Sequence, residues 1–220
     1  MQTKEKAKRH ATFVISLFFS GLGIAFTKAG GLGVSPVSSL ANVLSIKIPA
    51  LTMGTWLILT NLLMLLCQIA ILRKKFKPYQ FLQVPLAAVF GYFTDIGMMI
   101  TSLIEVDSYY MQLAMSVIGA AVLGFGISLA VIANVMMSSG EALVKVFGDT
   151  LKKEFGMVKI VFDICYVAAS AIISMLLFGG EIHGIREGTL IVALTTGIFV
   201  KFFTAVLTKP ITKIISSKKR

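Results

Sequence analysis

Charge is the scarcest resource in this sequence. Charged side chains make up only 14% of its 220 residues and apolar ones 56%, whereas a soluble domain carries about 25% charged residues. With a mean hydropathy of +0.88, the composition excludes a soluble enzyme or secreted module and defines an integral membrane protein. Histidine is nearly absent. His10 lies in the basic N-terminal stretch and His183 in a loop, so no His/Cys cluster is available for zinc, and no metal or cofactor is expected. Two cysteines, Cys67 and Cys165, both lie inside apolar runs and read as small buried hydrophobes without a redox role. No phosphate-binding glycine loop occurs, and the Gly21/Gly23 pair falls inside an apolar helix rather than after a strand. The chain is therefore not expected to be an enzyme.

Acidic residues are also few, ten against 21 Lys and Arg, which leaves a net charge of +11. Such a balance would suit nucleic acid, but the cations sit in a few blocks with no aromatics interleaved to stack bases. No nucleic-acid partner is expected. The blocks instead fall between apolar runs. Six candidate spans lie at about 11–29, 51–72, 80–103, 110–135, 157–178 and 188–208, each long enough to cross a bilayer as a helix. Bare peptide groups are intolerable in hydrocarbon and these runs are too long for barrel strands, so the fold class is all-α, a polytopic bundle forming one membrane domain over 1–220.

Counting cations loop by loop orients the chain. One side receives Lys4, Lys6, Lys8 and Arg9, then Arg73, Lys74, Lys75 and Lys77, then Lys145, Lys152 and Lys153, and finally Lys209, Lys213, Lys218, Lys219 and Arg220. The other receives only Lys28, Lys47 and Arg186. By the positive-inside rule both termini are cytoplasmic, in a multi-pass protein of the bacterial inner membrane. The first span, basic and then apolar, is expected to be retained rather than cleaved as a signal peptide.

The sequence also repeats itself. Gly21, Gly23 and Ile24 align with Gly124, Gly126 and Ile127, Ser35 with Ser138, and Leu40, Val43 and Leu44 with Leu143, Val146 and Phe147. Further along, Gly54 aligns with Gly156, Asn61 with Asp163, Gly91 with Gly197 and Asp95 with Lys201. Two three-helix units, about 11–103 and 110–208, follow. Because three is odd, the second enters the membrane from the opposite face, and the repeats are inverted, as in many secondary transporters. After its first span each unit has a long connection carrying a helix signature. Ser35 and Pro36 open one, and the S-x-x-E capping box of Ser138 and Glu141 opens the other. These are short helices, either re-entrant or interfacial. Only a re-entrant helix would aim its N-terminal N–H groups at an anion inside the protein.

The stretches TKAGGLGVSPVSS at 27–39, GYFTDIG at 91–97 and GIREGTLIVALTTGIFVKFF at 184–203 resemble, in the same order, the YczE/YitT-like bacterial integral membrane proteins. The likeness covers nearly the whole chain. It implies a polytopic inner-membrane protein and names no activity. One departure is that similar sequences often carry an aromatic and an acidic residue after the Ser-Pro pair, where this chain has Val37 and Ser38, so a ligand bound by that acid need not be shared.

Polar groups inside spans are the default functional candidates because they are costly unless paired or hydrated. The expected substrate-binding residues are Ser35, Ser38, Asn61, Asn134, Ser138, Ser139 and Glu141, with Asp95, Asp163 and Lys201 forming a coupling or ion pathway. Lys159 and Asp163, four apart, share a helix face and read as a structural ion pair. Small residues at four-residue spacing, Gly21 with Ala25 and Gly124 with Ser128, read as close helix packing. The expected function is a transporter or flippase-like carrier for a small polar or anionic molecule, lipid-linked ones included. The alternative is a non-catalytic membrane subunit, either a substrate-capture component or a scaffold. Its partners would be the bilayer, the substrate, and a second copy of the chain or another membrane protein.

Overall fold

A computed structural model of the protein describes residues 3–216, and every regular element in them is helical. In chain order these are α1 (Thr3–Ala29), α2 (Ser39–Lys47), α3 (Met53–Leu72), α4 (Gln83–Thr101), α5 (Tyr109–Ala133), α6 (Ser139–Leu151), α7 (Phe155–Leu177) and α8 (Glu187–Ile215). All but α2 and α6 are long and apolar enough to cross a membrane, six helices in total. Leu66, Leu176 and Leu194 on their outer faces are exposed, as suits a surface solvated by lipid. Cys67 and Cys165 are exposed too, against the expectation of burial. In a bilayer the outward face is as apolar as the interior, so hydropathy does not separate the two.

Both terminal helices overrun their expected limits. Hydropathy marks only the part of a helix that sits in hydrocarbon, and the hydrogen-bonded ladder continues beyond it. α1 therefore begins within the basic block and α8 runs through Pro210 to Ile215. The overhanging ends are tied together, Lys8 Nζ donating to the Ile214 carbonyl at 2.7 Å and Arg9 Nη1 to the Ala133 carbonyl at 3.1 Å. The start of α1 and the ends of α5 and α8 thus share one end of the bundle. At the other end, Lys28 Nζ donates to Ser45 Oγ at 2.7 Å and Asn42 Nδ2 to the Gly184 carbonyl at 2.8 Å. Lys218, Lys219 and Arg220, part of the last cationic block, lie outside the described residues.

α1 and α5 form the spine of the molecule, with α4 packed on α1 and α8 on α5. The small residues read from the sequence sit at these crossings. A Cβ on Gly23 would overlap Leu123, and one on Gly126 would overlap Ser20. A Cβ on Gly21 would collide with Phe93 and Thr94, and one on Gly124 with Phe199 and Val200. Residues paired by the sequence repeat therefore make corresponding contacts. Close backbone approach through small residues is how membrane helices associate when lipid removes the hydrophobic drive between them.

The short helices complete the pattern. α2 packs on α3 and crosses to α7, while α6 packs on α7 and crosses to α3. At nine and 13 residues, the two would span only about 14 and 20 Å, too little to cross a hydrocarbon core of about 30 Å. Both are packed into the bundle along part of their length. Ser39, Ala41, Asn42 and Val43 are buried in α2, as are Ser139, Gly140, Leu143, Val144, Val146 and Gly148 in α6.

Candidate functional site

Where the short helices begin, they meet. Val37, in the turn Pro36–Ser38 before α2, stands against Gly140 in the first turn of α6, leaving only 3.0 Å for a Cβ there. Each start is pinned by a neighbour in a spanning helix. Gln68 of α3 donates to the Ser139 carbonyl at 3.0 Å and shares a reciprocal pair of amide hydrogen bonds with Gln83 of α4, each 3.1 Å. On the other side, Ser39 Oγ bonds Ser170 Oγ of α7 at 2.9 Å and the Pro36 carbonyl at 2.7 Å. Buried amides and hydroxyls persist only when satisfied in this way.

The cap geometry differs between the two starts. Ser138 Oγ accepts from Glu141 N at 3.4 Å, as the capping box predicts. Ser35 makes no such bond to the backbone. Its hydroxyl pairs instead with Ser38 Oγ at 2.7 Å, because Pro36 begins a tighter turn before the α-helix proper.

Beside this junction is a cavity of about 480 Å³, within the range of small-molecule sites. Most of its wall is apolar, supplied by Phe13 and Leu17 of α1, Phe90 of α4, Leu123 and Ile127 of α5, and Val192 and Val200 of α8. Its polar groups include Ser35, Ser38, Asn61, Ser138, Ser139, Glu141, Lys159, Asp163 and Thr196, with Ser20 and Gln83 also on the wall. Six of the seven expected substrate-binding residues therefore converge, along with Asp163 from the expected ion pathway.

Three of the expected residues stand elsewhere. Asn134 ends α5 in a left-handed conformation, φ 48°, with its N–H returned to the Ala130 carbonyl, a helix-ending geometry that asparagine tolerates. Lys201 is exposed on α8, where its long stem lets the ammonium leave the hydrocarbon. Asp95 holds α3 to α4. Its Oδ1 accepts from Gly54 N at 2.8 Å and its Oδ2 from Thr52 Oγ1 at 2.7 Å, placing a carboxylate at the positive end of α3.

Lys159 and Asp163 form the expected ion pair, but on the cavity wall rather than at a surface. Asp163 Oδ1 and Thr196 Oγ1 are buried without a partner among the described residues, and an unmet acceptor and hydroxyl beside a cavity are open to a ligand. Burial pushes the Glu141 carboxyl above its ordinary value of 4.5, and Asp163 acts in the same sense, while the charge of Lys159 and hydrogen bonds from Ser138 oppose the shift. Lys159 therefore faces two carboxyl groups. That Lys159, Gln83 and Thr196 line the cavity was not legible from spacing alone, nor was the role of Gln68 in pinning the start of α6. Among the described residues no three His, Cys, Asp or Glu converge as metal ligands.

A family model described as a family of unknown function, DUF6198, matches residues 7–205. The motifs of the chain suggest the YczE/YitT-like proteins, and the match does not confirm that narrower resemblance. An uncharacterized protein of Bacillus subtilis, YyaS, is 26% identical over 204 residues, covering 90% of this chain and 94% of its own. No solved structure matches.

Proposed function

The chain belongs to DUF6198, a family of unknown function, and from its central cavity we propose that it is a membrane carrier, a transporter or flippase, for a small polar or anionic molecule, lipid-linked ones included. The observation that carries this reading is the convergence of two short-helix starts from different parts of the chain on one cavity. Helix starts supply unpaired N–H groups and partial positive charge. Ser138 and Asn61 add hydrogen bonds, and Lys159 is the one cation lining the cavity among the described residues.

An inverted-repeat relation supports the carrier reading. The packing of α4 on α1 recurs as α8 on α5, and that of α2 on α7 recurs as α6 on α3. Halves related in this way rock about a fixed midplane site, exposing it alternately to the two sides. Asp163 and Glu141, rather than Asp95 and Lys201, are the groups positioned to take up a coupling proton or cation, since they alone among the expected acids line the cavity. The reading places the protein in the bacterial inner membrane with both termini cytoplasmic, acting without covalent chemistry.

Liposomes containing the purified protein test the proposal. A panel of polar metabolites, organic anions and lipid phosphates is screened for thermal stabilisation, and hits are assayed for uptake or flipping. At a ligand concentration of 100 times Kd, stabilisation by about 2.7 kcal/mol is expected, and Asp163→Asn should reduce it. Tight binding without movement would identify a capture subunit. Absence of both binding and movement, with a membrane protein co-purifying, would identify a scaffold.

A further inference from the structure

One pair of contacts breaks the correspondence between the halves. α3 and α4 close on each other through Gly54 and Gly91, where a Cβ on either glycine would strike the carbonyl oxygen of the other. The aligned glycines, Gly156 of α7 and Gly197 of α8, have no atom within 4 Å of a Cβ built on either. α7 packs on α2 and α6, and α8 packs on α5, but these two helices do not pack on one another as α3 and α4 do. The cavity reaches this unclosed seam, since Gly197 and Ile160 are among its lining residues. We infer that the seam between α7 and α8 is a lateral gate, through which the acyl tail of an amphiphilic ligand extends from the cavity into the bilayer, and that it closes by bringing Gly156 onto Gly197.

This inference rests on the carrier reading and specifies its substrate class. A glycine in mid-helix costs about 0.5–1 kcal/mol relative to alanine, and Gly197 gains nothing in the open arrangement to offset that. The closed seam of the other half shows what such a pair is for. Thr52 and Asp95 are hydrogen-bonded across that closed seam, and the positions aligned with them hold Glu154 and Lys201, both exposed. A lysine cannot cap the positive start of α7 as Asp95 caps Gly54, but it can pair with Glu154 when the helices meet, which gives Lys201 a role in the closed state.

The occupant follows from the two ends of the space. Ile160 brings hydrocarbon to the α7 side of the seam, and beside it Lys159 and Asp163 present both signs of charge to the cavity. A soluble solute has no use for an opening between two spanning helices. A single-chain zwitterionic lipid does, with its phosphate on Lys159, its ammonium on Asp163 and its tail in the seam.

The test uses the full chain in liposomes, on a Cys67→Ser/Cys165→Ser background. Gly156→Cys with Gly197→Cys places two small side chains in open space, and oxidation should join them, because a disulfide requires the Cα atoms to come within about 7 Å. Should that pair fail to fold, Glu154→Cys with Lys201→Cys and a short bifunctional maleimide reports the same closure. Saturating lysophosphatidylethanolamine at ten times Kd should slow joining about tenfold, and glycerophosphoethanolamine, the same head without a tail, should leave the rate unchanged. No joining with either pair overturns the gate. Equal protection by the tail-less head overturns the lipid occupant. Joining that the lipid slows, in a protein that moves no substrate, upholds the gate and refutes the carrier, whereas movement without joining does the reverse.

Discussion

At Asp95 a residue that resembled an intramembrane functional acid proves to be a helix cap. Asp95→Ala removes two hydrogen bonds at the start of α3 and should cost about 1–2 kcal/mol, read as a lower midpoint of thermal unfolding in detergent, with ligand affinity unchanged. Glu141 behaves differently. Its carboxyl titrates above the ordinary 4.5 because it is buried, so the unfolded chain loses that proton first. Stability should fall as pH rises from the ordinary value to the raised one and then level off. Glu141→Gln should remove that decline, and melting curves measured across the window check it. A third residue-scale test concerns Gln68, whose amide satisfies both Gln83 and the Ser139 carbonyl. Gln68→Leu strands both and should destabilise by about 1–3 kcal/mol, by the same measurement.

Element-scale behaviour depends on which glycines face a neighbour. Gly54→Leu or Gly91→Leu forces α3 away from α4 and should cost at least about 1–3 kcal/mol as an overpacked contact. Gly156→Leu and Gly197→Leu enter open space and should leave the unfolding midpoint close to that of the native protein. All four residues are glycines in apolar helices, and a sequence window does not distinguish them. The short helices teach a similar lesson. Ser138 and Glu141 announced the start of α6, because a capping box is a local device. Whether α2 and α6 lay on the membrane surface or entered the protein was not written locally, since an amphipathic stripe serves lipid and protein equally well. The contact of Val37 with Gly140 brings the two starts together inside the bundle.

For the whole molecule, the spans were legible because hydrocarbon requires about 20 apolar residues of any helix that crosses it, and the run from Met53 to Leu72 lies almost where hydropathy placed it. The burial of Cys67 and Cys165 was misjudged for the same reason, as hydropathy reports lipid and protein interiors alike. Thiol labelling in intact vesicles checks the orientation. Single cysteines introduced at Lys8 and Lys213 should react from the same face, and one at Lys47 from the opposite face.

By itself the sequence determined the all-helical class, the six spans and the capped start of α6. Each of these follows from an interaction with solvent or with residues a turn or two away. The tertiary structure alone decided that six polar candidates share one cavity with Lys159, that Asp95 is a cap, and that one glycine pair is closed while its counterpart is open. Such distinctions depend on which helices touch, and with lipid as apolar as the protein interior, that choice leaves no trace in the composition of any single helix.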